Sequence, residues 1–418
     1  MSLQLLQLPS DTSILHCTYD PLSGCAIATG SDRNIYFVNL NNSRSTSSPS
    51  KSSQTAIINS AHSERITDCK VNGRLLLTCA EDHSIKVWDP RLLSTQQQAS
   101  SLNSNNSKPV IQCMAPGPVN TMCLLSEYAV VAGCAMSSCN TAGFTNSLGQ
   151  DAPIGLYDLR QCKPSTNNGM SICKPLGILG GLHTDDITCV DLIPSNPYSC
   201  PQQKQALVTC SVDGLVNVID LDAMVAVSQG MQNVDATETN CIVASANLTD
   251  SLAKVWYDTQ GSLWIASHTE QLFRIPVECG VDSLPVLGRF TQYGRIGSIA
   301  EGADYIIDIQ VNKCDNRNCN LFIGNYGGDF LEMDLTAQQA SDPISIGQQM
   351  QGQHQIYNQA SEQSGPFRVK QSSLNGQNAY RHQDVVRCVY KLDSSSMATS
   401  YSLLLSGSDD GQLLLWSW

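Results

Sequence analysis

With 418 residues the chain is long enough for two or three ordinary domains or for an array of small repeats, and 41% hydrophobic residues supply a large core. Charged residues reach only 15%, below the roughly 25% of an average soluble domain, so much of the surface must be Ser, Asn, Gln and Thr. Lys and Arg number 24 against 37 Asp and Glu, a net charge of −13, which repels phosphate backbones and anionic headgroups and disfavours nucleic acid and membrane surfaces as ligands.

The first predicted strand is the short apolar run Leu3-Gln4-Leu5-Leu6-Gln7-Leu8. A β-rich unit follows over residues 14–40, with Ser31-Asp32-Arg33-Asn34 at its turn. From His62 a strand-like run to Val71 leads into Leu76-Leu77-Thr78-Cys79-Ala80, a polar turn at Glu81-Asp82-His83 and a further run ending Val87-Trp88-Asp89. A looser unit over 119–160 ends in Leu156-Tyr157-Asp158-Leu159-Arg160. His183 to Leu192 precedes a hairpin over 206–220 that turns at Asp213-Gly214. Residues 240–277 carry a strand pair around Gly261-Ser262-Leu263-Trp264, and 304–335 carry Gly327-Gly328-Asp329 before Phe330-Leu331-Glu332-Met333. The last unit runs from His382 to Leu392 and then through Leu403-Leu404-Leu405, Asp409-Asp410-Gly411 and Leu413-Leu414-Leu415-Trp416. Apolar runs on both sides of an Asp-Gly pair predict a hairpin, because that turn needs positive φ. Seven such units make a repeat array. The spare length lies in low-complexity inserts near 43–53, 94–107, 137–150 and 347–377, which bury too little apolar surface to offset their ordering entropy and read as loops.

The recurring order of His, strand, hairpin and a Trp-Asp-like ending resembles the WD40 repeat family of β-propellers. The resemblance implies an all-β fold: a single seven-bladed propeller spanning residues 1–418. The last repeat stops at Trp418 on its third strand, so the strand near 3–8 is expected to complete blade seven (382–418) and close the ring. Closure would remove an exposed edge.

His62 with Thr78 and Asp82, His183 with Thr209 and Asp213, and His382 with Ser406 and Asp410 look like acid–base triads. The family resemblance assigns them, with Trp88 and Trp416, to buried hydrogen-bond networks that tie each blade's turn to the loop ahead of its inner strand. Three copies of a catalytic triad in one chain would be redundant. Blade four has Ile219 in the Trp place and is expected to be the weaker. Cys17, Cys69, Cys123, Cys189, Cys241 and Cys388 fall in first strands of their repeats and Cys79 and Cys210 in second strands, where they serve as small core hydrophobes. No C-x-x-C pair occurs, and the N-terminus has no basic region before its apolar run. A reducing, intracellular setting (cytoplasm and/or nucleus), without disulfides, metal or cofactor, is therefore expected.

No G-x-S-x-G, G-x-x-x-x-G-K-[ST] or H-E-x-x-H motif is present, so the expectation is a non-enzymatic protein. The family pattern then places binding on the face that carries the loops ahead of the inner strands: Arg65, Thr67, Asp186, Thr188 and Arg387, with Glu81 and Asp409 beside the turns. Partners would be proteins in a multi-subunit complex bound to a monomeric propeller. Trp88-Asp89-Pro90-Arg91 and Tyr157-Asp158-Leu159-Arg160 resemble the W-D-x-R endings by which substrate receptors of cullin-RING ubiquitin ligases dock on their adaptor, with Asp89, Arg91, Asp158 and Arg160 as the adaptor-binding residues. Within the larger family, His183-Thr184-Asp185-Asp186-Ile187-Thr188, Ser211-Val212-Asp213-Gly214-Leu215 and the Asp410–Trp416 ending resemble the WD repeat-containing protein 89 family.

Overall fold

The structure, a computed structural model, describes residues 2–40, 55–91, 108–136, 151–164, 170–195, 204–230, 233–235, 241–258, 261–280, 284–300, 302–311, 319–335, 369–371, 381–392 and 403–417. The strands form seven sheets, arranged as the blades of a propeller. Blade one is Ile14–Asp20, Cys25–Gly30, Ile35–Asn39 and Thr55–Ile58, and blade four is Ile187–Ile193, Ala206–Ser211, Leu215–Asp220 and Ile242–Asn247. Blade seven draws on both ends of the described chain. Val386–Leu392, Leu403–Ser408 and Gln412–Ser417 are joined by Ser2–Gln7, which pairs antiparallel with the third strand from Ser2 opposite Trp416 to Gln7 opposite Gln412. The ring thus closes through the first strand.

The second strand of a blade lies between two neighbouring sheets and is buried on both faces. Ala206–Ser211, Ser262–Ser267, Cys319–Gly324 and Leu403–Ser408 are buried at every position, which is why these segments read as continuous small or apolar runs rather than as alternation. Gly407 shows how tight the contact is, since a methyl group there would strike Ile14 of blade one and Cys388. The inner strands share a second feature. Each of the seven carries a register shift at the same place, between Ile14 and His16, Ile66 and Asp68, Val119 and Thr121, Ile187 and Cys189, Leu252 and Lys254, Ile306 and Asp308, and Val386 and Cys388. A bulge there adds twist and re-aims the skipped side chain.

Blades two and three are larger than the pattern predicts. After the third strand of blade three the chain crosses back to blade two, where Lys163–Pro164 and Ser171–Cys173 extend its sheet to six strands, and then returns as Gly177–Gly180. Likewise, after Asp220 the helix Leu221–Gly230 and the strand Asn233–Asp235 cover blade three before the chain returns as Ile242–Asn247. Met224 of that helix packs in the same cluster as Leu179 and Leu156. Cys241 therefore precedes the outer strand of blade four, not the inner strand of blade five as expected; that inner strand is Leu252–Tyr257. The inserts 43–53, 94–107 and 137–150 lie outside the described residues, as do 347–368 and 372–377, whereas Val369–Gln371 forms the outer strand of blade six. No helix among the described residues is long and apolar enough to cross a membrane.

Candidate functional site

Antiparallel pairing brings the loop ahead of each inner strand and the turn between the second and third strands to one face, called the upper face here. Backbone hydrogen bonds join the two in blade after blade: Ser31 to Ser13, Glu81 to Arg65, Ala135 to Pro118, Val212 to Asp186, His268 to Ser251 and Asp409 to Val385. In blade two the junction is locked from below. His62, 1% exposed, lies 3.0 Å through Nδ1 from Asp82 and 2.8 Å through Nε2 from Thr78 Oγ1, which also accepts from Trp88 Nε1 at 2.9 Å. The geometry fixes the proton pattern. A neutral His62 donates from Nδ1 to the carboxylate and accepts at Nε2 from the Thr78 hydroxyl, whose oxygen takes the indole N–H. Burial keeps His62 below the ordinary imidazole range despite Asp82. Burial would raise the Asp82 carboxyl, but His62, Ser84 Oγ and the Ser63 amide together hold it well below the carboxylate range.

Blade four repeats the arrangement, with His183 at 3.2 Å from Asp213 and 2.8 Å from Thr209. Ile219 occupies the Trp place, opposite Leu207 as Trp88 is opposite Leu76. Asn217 partly substitutes, its amide donating to Leu182 O at 2.7 Å and lying 3.4 Å from His183 Nε2. Blade seven keeps His382 on Ser406 at 2.7 Å and Trp416 on Ser406 at 2.6 Å, but its His382 Nδ1 is 3.6 Å from Asp410, beyond hydrogen-bond reach. Its His–Asp link is looser than that of blade four. Asp410 also accepts from Ser408 Oγ and from the Gln383 and Gln412 amides; burial would raise its carboxyl, but the nearby His382, followed by these donors, brings it down to about 2.

The expected binding residues divide into two groups. Thr67 and Thr188 are the skipped residues of their bulges, and their hydroxyls donate across the seam to Val119 O at 2.5 Å and Leu252 O at 2.9 Å. They stitch blade to blade. Asp186 accepts from the Met136 amide at 2.7 Å. Arg65 and Glu81 are exposed, and Arg387 forms a forked pair with Asp409, both oxygens 2.9 Å from Nε, while its side chain stays 51% exposed. Tyr305 and Tyr326 stand beside this pair and were not singled out from the sequence. The Val386 amide donates to Tyr305 Oη at 2.8 Å, the two tyrosine rings lie 5.8 Å apart, and Tyr326 is 68% exposed. An aromatic residue inside the polar turn Asn325-Tyr326-Gly327-Gly328 was the available signal.

The third strands end on the opposite, lower face. Asp89 binds Arg91 Nε at 2.8 Å and Nη2 at 2.5 Å, and Asp158 binds Arg160 Nε at 2.9 Å and Nη2 at 2.8 Å. The two endings, on consecutive blades, share one geometry, with arginine side chains 61% and 68% exposed. Arg160 also lies 5.5 Å over the Tyr128 ring. Toward the ring axis the inner strands converge a polar set that the repeats did not suggest: His16, Asp68, Asp191, Lys254 and Asp308. Asp68 accepts from the Met122 amide, Asp191 from the Tyr257 amide and Asp308 from Trp256 Nε1, while Lys254 donates to Ile307 O. These groups join adjacent blades. Among the described residues Cys279 is disulfide-bonded, against the expectation of thiols throughout. Among the described residues no group of three or more His, Cys, Asp or Glu is placed to hold a metal ion.

Seven sheets with bulged inner strands, closed through the first strand, define a seven-bladed β-propeller, and a buried His–Thr/Ser contact recurs in blades two, four and seven. The family model "WD domain, G-beta repeat" matches residues 53–89, 173–220 and 377–417, which hold the first three strands of blades two, four and seven. The chain is similar to the WD repeat-containing protein 89 homolog of Dictyostelium discoideum, 24% identical over 226 residues, 53% of this chain and 46% of that protein. The match therefore spans about half of this curated relative. Over 100% of both chains the fold matches the β-propeller domain of Myceliophteria thermophila Cps50 (Swd1), with TM-score 0.54 and 10% identity.

Proposed function

We propose that the chain is a non-enzymatic scaffold that binds a protein partner on its upper face, centred on blades six and seven and extending to blade two. The supporting observation is the exposed Arg387–Asp409 fork beside Tyr305 and Tyr326. Arg and Tyr are the side chains that most often dominate binding energy at interfaces, because each combines a broad contact area with directional donors. Arg65 and Glu81 add charges of both signs, which suits a polar peptide segment of a partner within a larger complex. The test is affinity purification with mass spectrometry from native cells, comparing wild type with Arg387→Ala plus Tyr326→Ala. At least one captured protein should be lost; an unchanged set of partners would refute this placement.

A second reading rests on the lower face. The two forked Asp–Arg endings on consecutive blades favour a ubiquitin-ligase substrate receptor that docks on its adaptor through Asp89, Arg91, Asp158 and Arg160. The planar guanidinium suits carboxylate partners in a way Lys does not reproduce. Arg91→Ala with Arg160→Ala should abolish co-precipitation of such an adaptor, and a complex that survives both changes removes this reading.

A further inference from the structure

Three cysteines lie in a row on adjacent strands of blade two's enlarged sheet, away from the upper face. Ser171–Cys173 runs parallel to Ile111–Met114 with Cys173 directly opposite Cys113. On its other side Lys163 pairs with Ile172 and Pro164 with Ser171 in antiparallel register. Continuing that register by one residue sets Cys162 opposite Cys173. Directly paired side chains share a face of the sheet, with Cβ atoms about 4.5–5.5 Å apart, and small shifts from that spacing reach disulfide geometry. All three pack in one apolar cluster. Cys113 and Cys173 are fully buried, and Cys162 is partly exposed.

The surroundings distinguish the three sulfurs. A hydrogen bond from Cys113, opposed by burial and assisted by Cys162, lowers the Cys173 thiol. Burial first, and then the neighbouring Cys173, push Cys162 up to about 12. Cys162 Sγ donates to Leu159 O at 2.8 Å, and Cys173 Sγ lies 3.4 Å from Asp158 O, so both sulfurs support the backbone that carries the Asp158–Arg160 ending.

We propose that Cys162 and Cys173 form a thiol–disulfide switch that small-molecule disulfides such as glutathione disulfide oxidise. Cys162, the accessible sulfur, attacks one sulfur of glutathione disulfide through the small thiolate fraction left to a thiol pushed up to about 12, which makes this the slow step, and the proton it gave up leaves with the displaced glutathione. Cys173, the thiol most readily ionised, then attacks Cys162 Sγ, breaks the mixed disulfide and releases a second glutathione that takes up the second proton. Two thiols are oxidised to one disulfide and one glutathione disulfide is reduced to two thiols. The new bond closes the 162–173 hairpin that straps blade three onto blade two and removes the S–H donor from Leu159 O. The switch follows from strand register and does not depend on either reading of the protein's partners.

The full-length reduced protein, treated with glutathione disulfide and quenched with N-ethylmaleimide, tests this directly. Met170 lies between the two cysteines, so cyanogen bromide separates them unless a disulfide holds the fragments together. The expected product is a reducible Cys162–Cys173 link, lost in both Cys162→Ser and Cys162→Ala. Cys25, which pairs with Asp20 and Asn39 and has no cysteine opposite, should stop at the mixed disulfide. Cys173 recovered alkylated, joined to Cys113 instead, or unlinked while Cys162 carries glutathione would each overturn the proposal. A full circular-dichroism spectrum for the two variants keeps loss of fold from imitating loss of the link.

Discussion

Thr78→Val probes the network with little change of shape, because the two side chains are nearly the same size and both are β-branched. Thr78 is 0% exposed, and its hydroxyl serves two partners, Trp88 Nε1 at 2.9 Å and His62 Nε2 at 2.8 Å. Valine leaves both without a partner and without access to water. Each buried unsatisfied group costs about 1–3 kcal/mol, so the expected loss is about 2–6 kcal/mol. Blade four supplies the internal comparison. Thr209, also 0% exposed, serves only His183 Nε2 at 2.8 Å, and Asn217 Nδ2 stands 3.4 Å from that nitrogen, ready to donate to it. Thr209→Val should therefore cost no more than about 1–3 kcal/mol, the smaller part of what Thr78→Val costs. Urea unfolding followed by tryptophan fluorescence and far-ultraviolet circular dichroism measures both. Equal losses in the two variants, or a Thr78→Val loss of less than about 0.5 kcal/mol as for an ordinary surface change, would refute the assignment of the hydroxyl as a shared acceptor and donor.

Acid should destabilise the fold in two stages. His62 and His16 are held below the ordinary imidazole value of 6.5, His16 to about 4, burial being the largest cause in each; the unfolded chain therefore binds more protons and stability falls as pH drops below about 6.5. A second loss should follow as pH falls from 3.8 toward about 2, where folded Asp410 finally protonates, and urea midpoints that stay level from pH 7.5 to 5 would contradict the first stage. Removing residues 1–9 takes away Leu5 and Leu8, each 6% exposed, worth about 3–6 kcal/mol together, and bares the edge at Gln412–Ser417; the thermal midpoint should drop by many degrees, and an unchanged midpoint would exclude closure by this strand. Gly328→Ala should cost more than the about 1–3 kcal/mol of a strained non-glycine conformation, because φ is +83° and the new methyl would sit 2.5 Å from His382 O; a neutral effect on the melting temperature would count against the blade six to blade seven contact.

The repeat could be read from the chain because two local rules recur in it. A turn Asp between apolar runs, followed by Gly in blades four and seven, specifies a hairpin, and His, Thr or Ser and Asp at fixed offsets, with Trp in blades two and seven, specify a hydrogen-bonded unit; both depend on neighbours within about thirty residues, so blades two, four and seven were legible, with the polar residues of their networks. Closure was legible as well, since an unpaired third strand at Gln412–Ser417 and an unassigned strand at Ser2–Gln7 complement each other. Other features depend on packing between blades, which local patterns do not encode. Thr67 and Thr188 looked free to bind partners, yet the inner-strand bulges aim them at the next blade. The crossings that place Ser171–Cys173 on blade two and Asn233–Asp235 on blade three join strands far apart in sequence. The sequence by itself thus determined that this protein is a ring of hairpin repeats with buried polar networks, because those follow from short-range turn and hydrogen-bond chemistry. Only the tertiary structure decided which polar side chains remain exposed and which sulfurs face one another, because both depend on how the sheets stack around the axis.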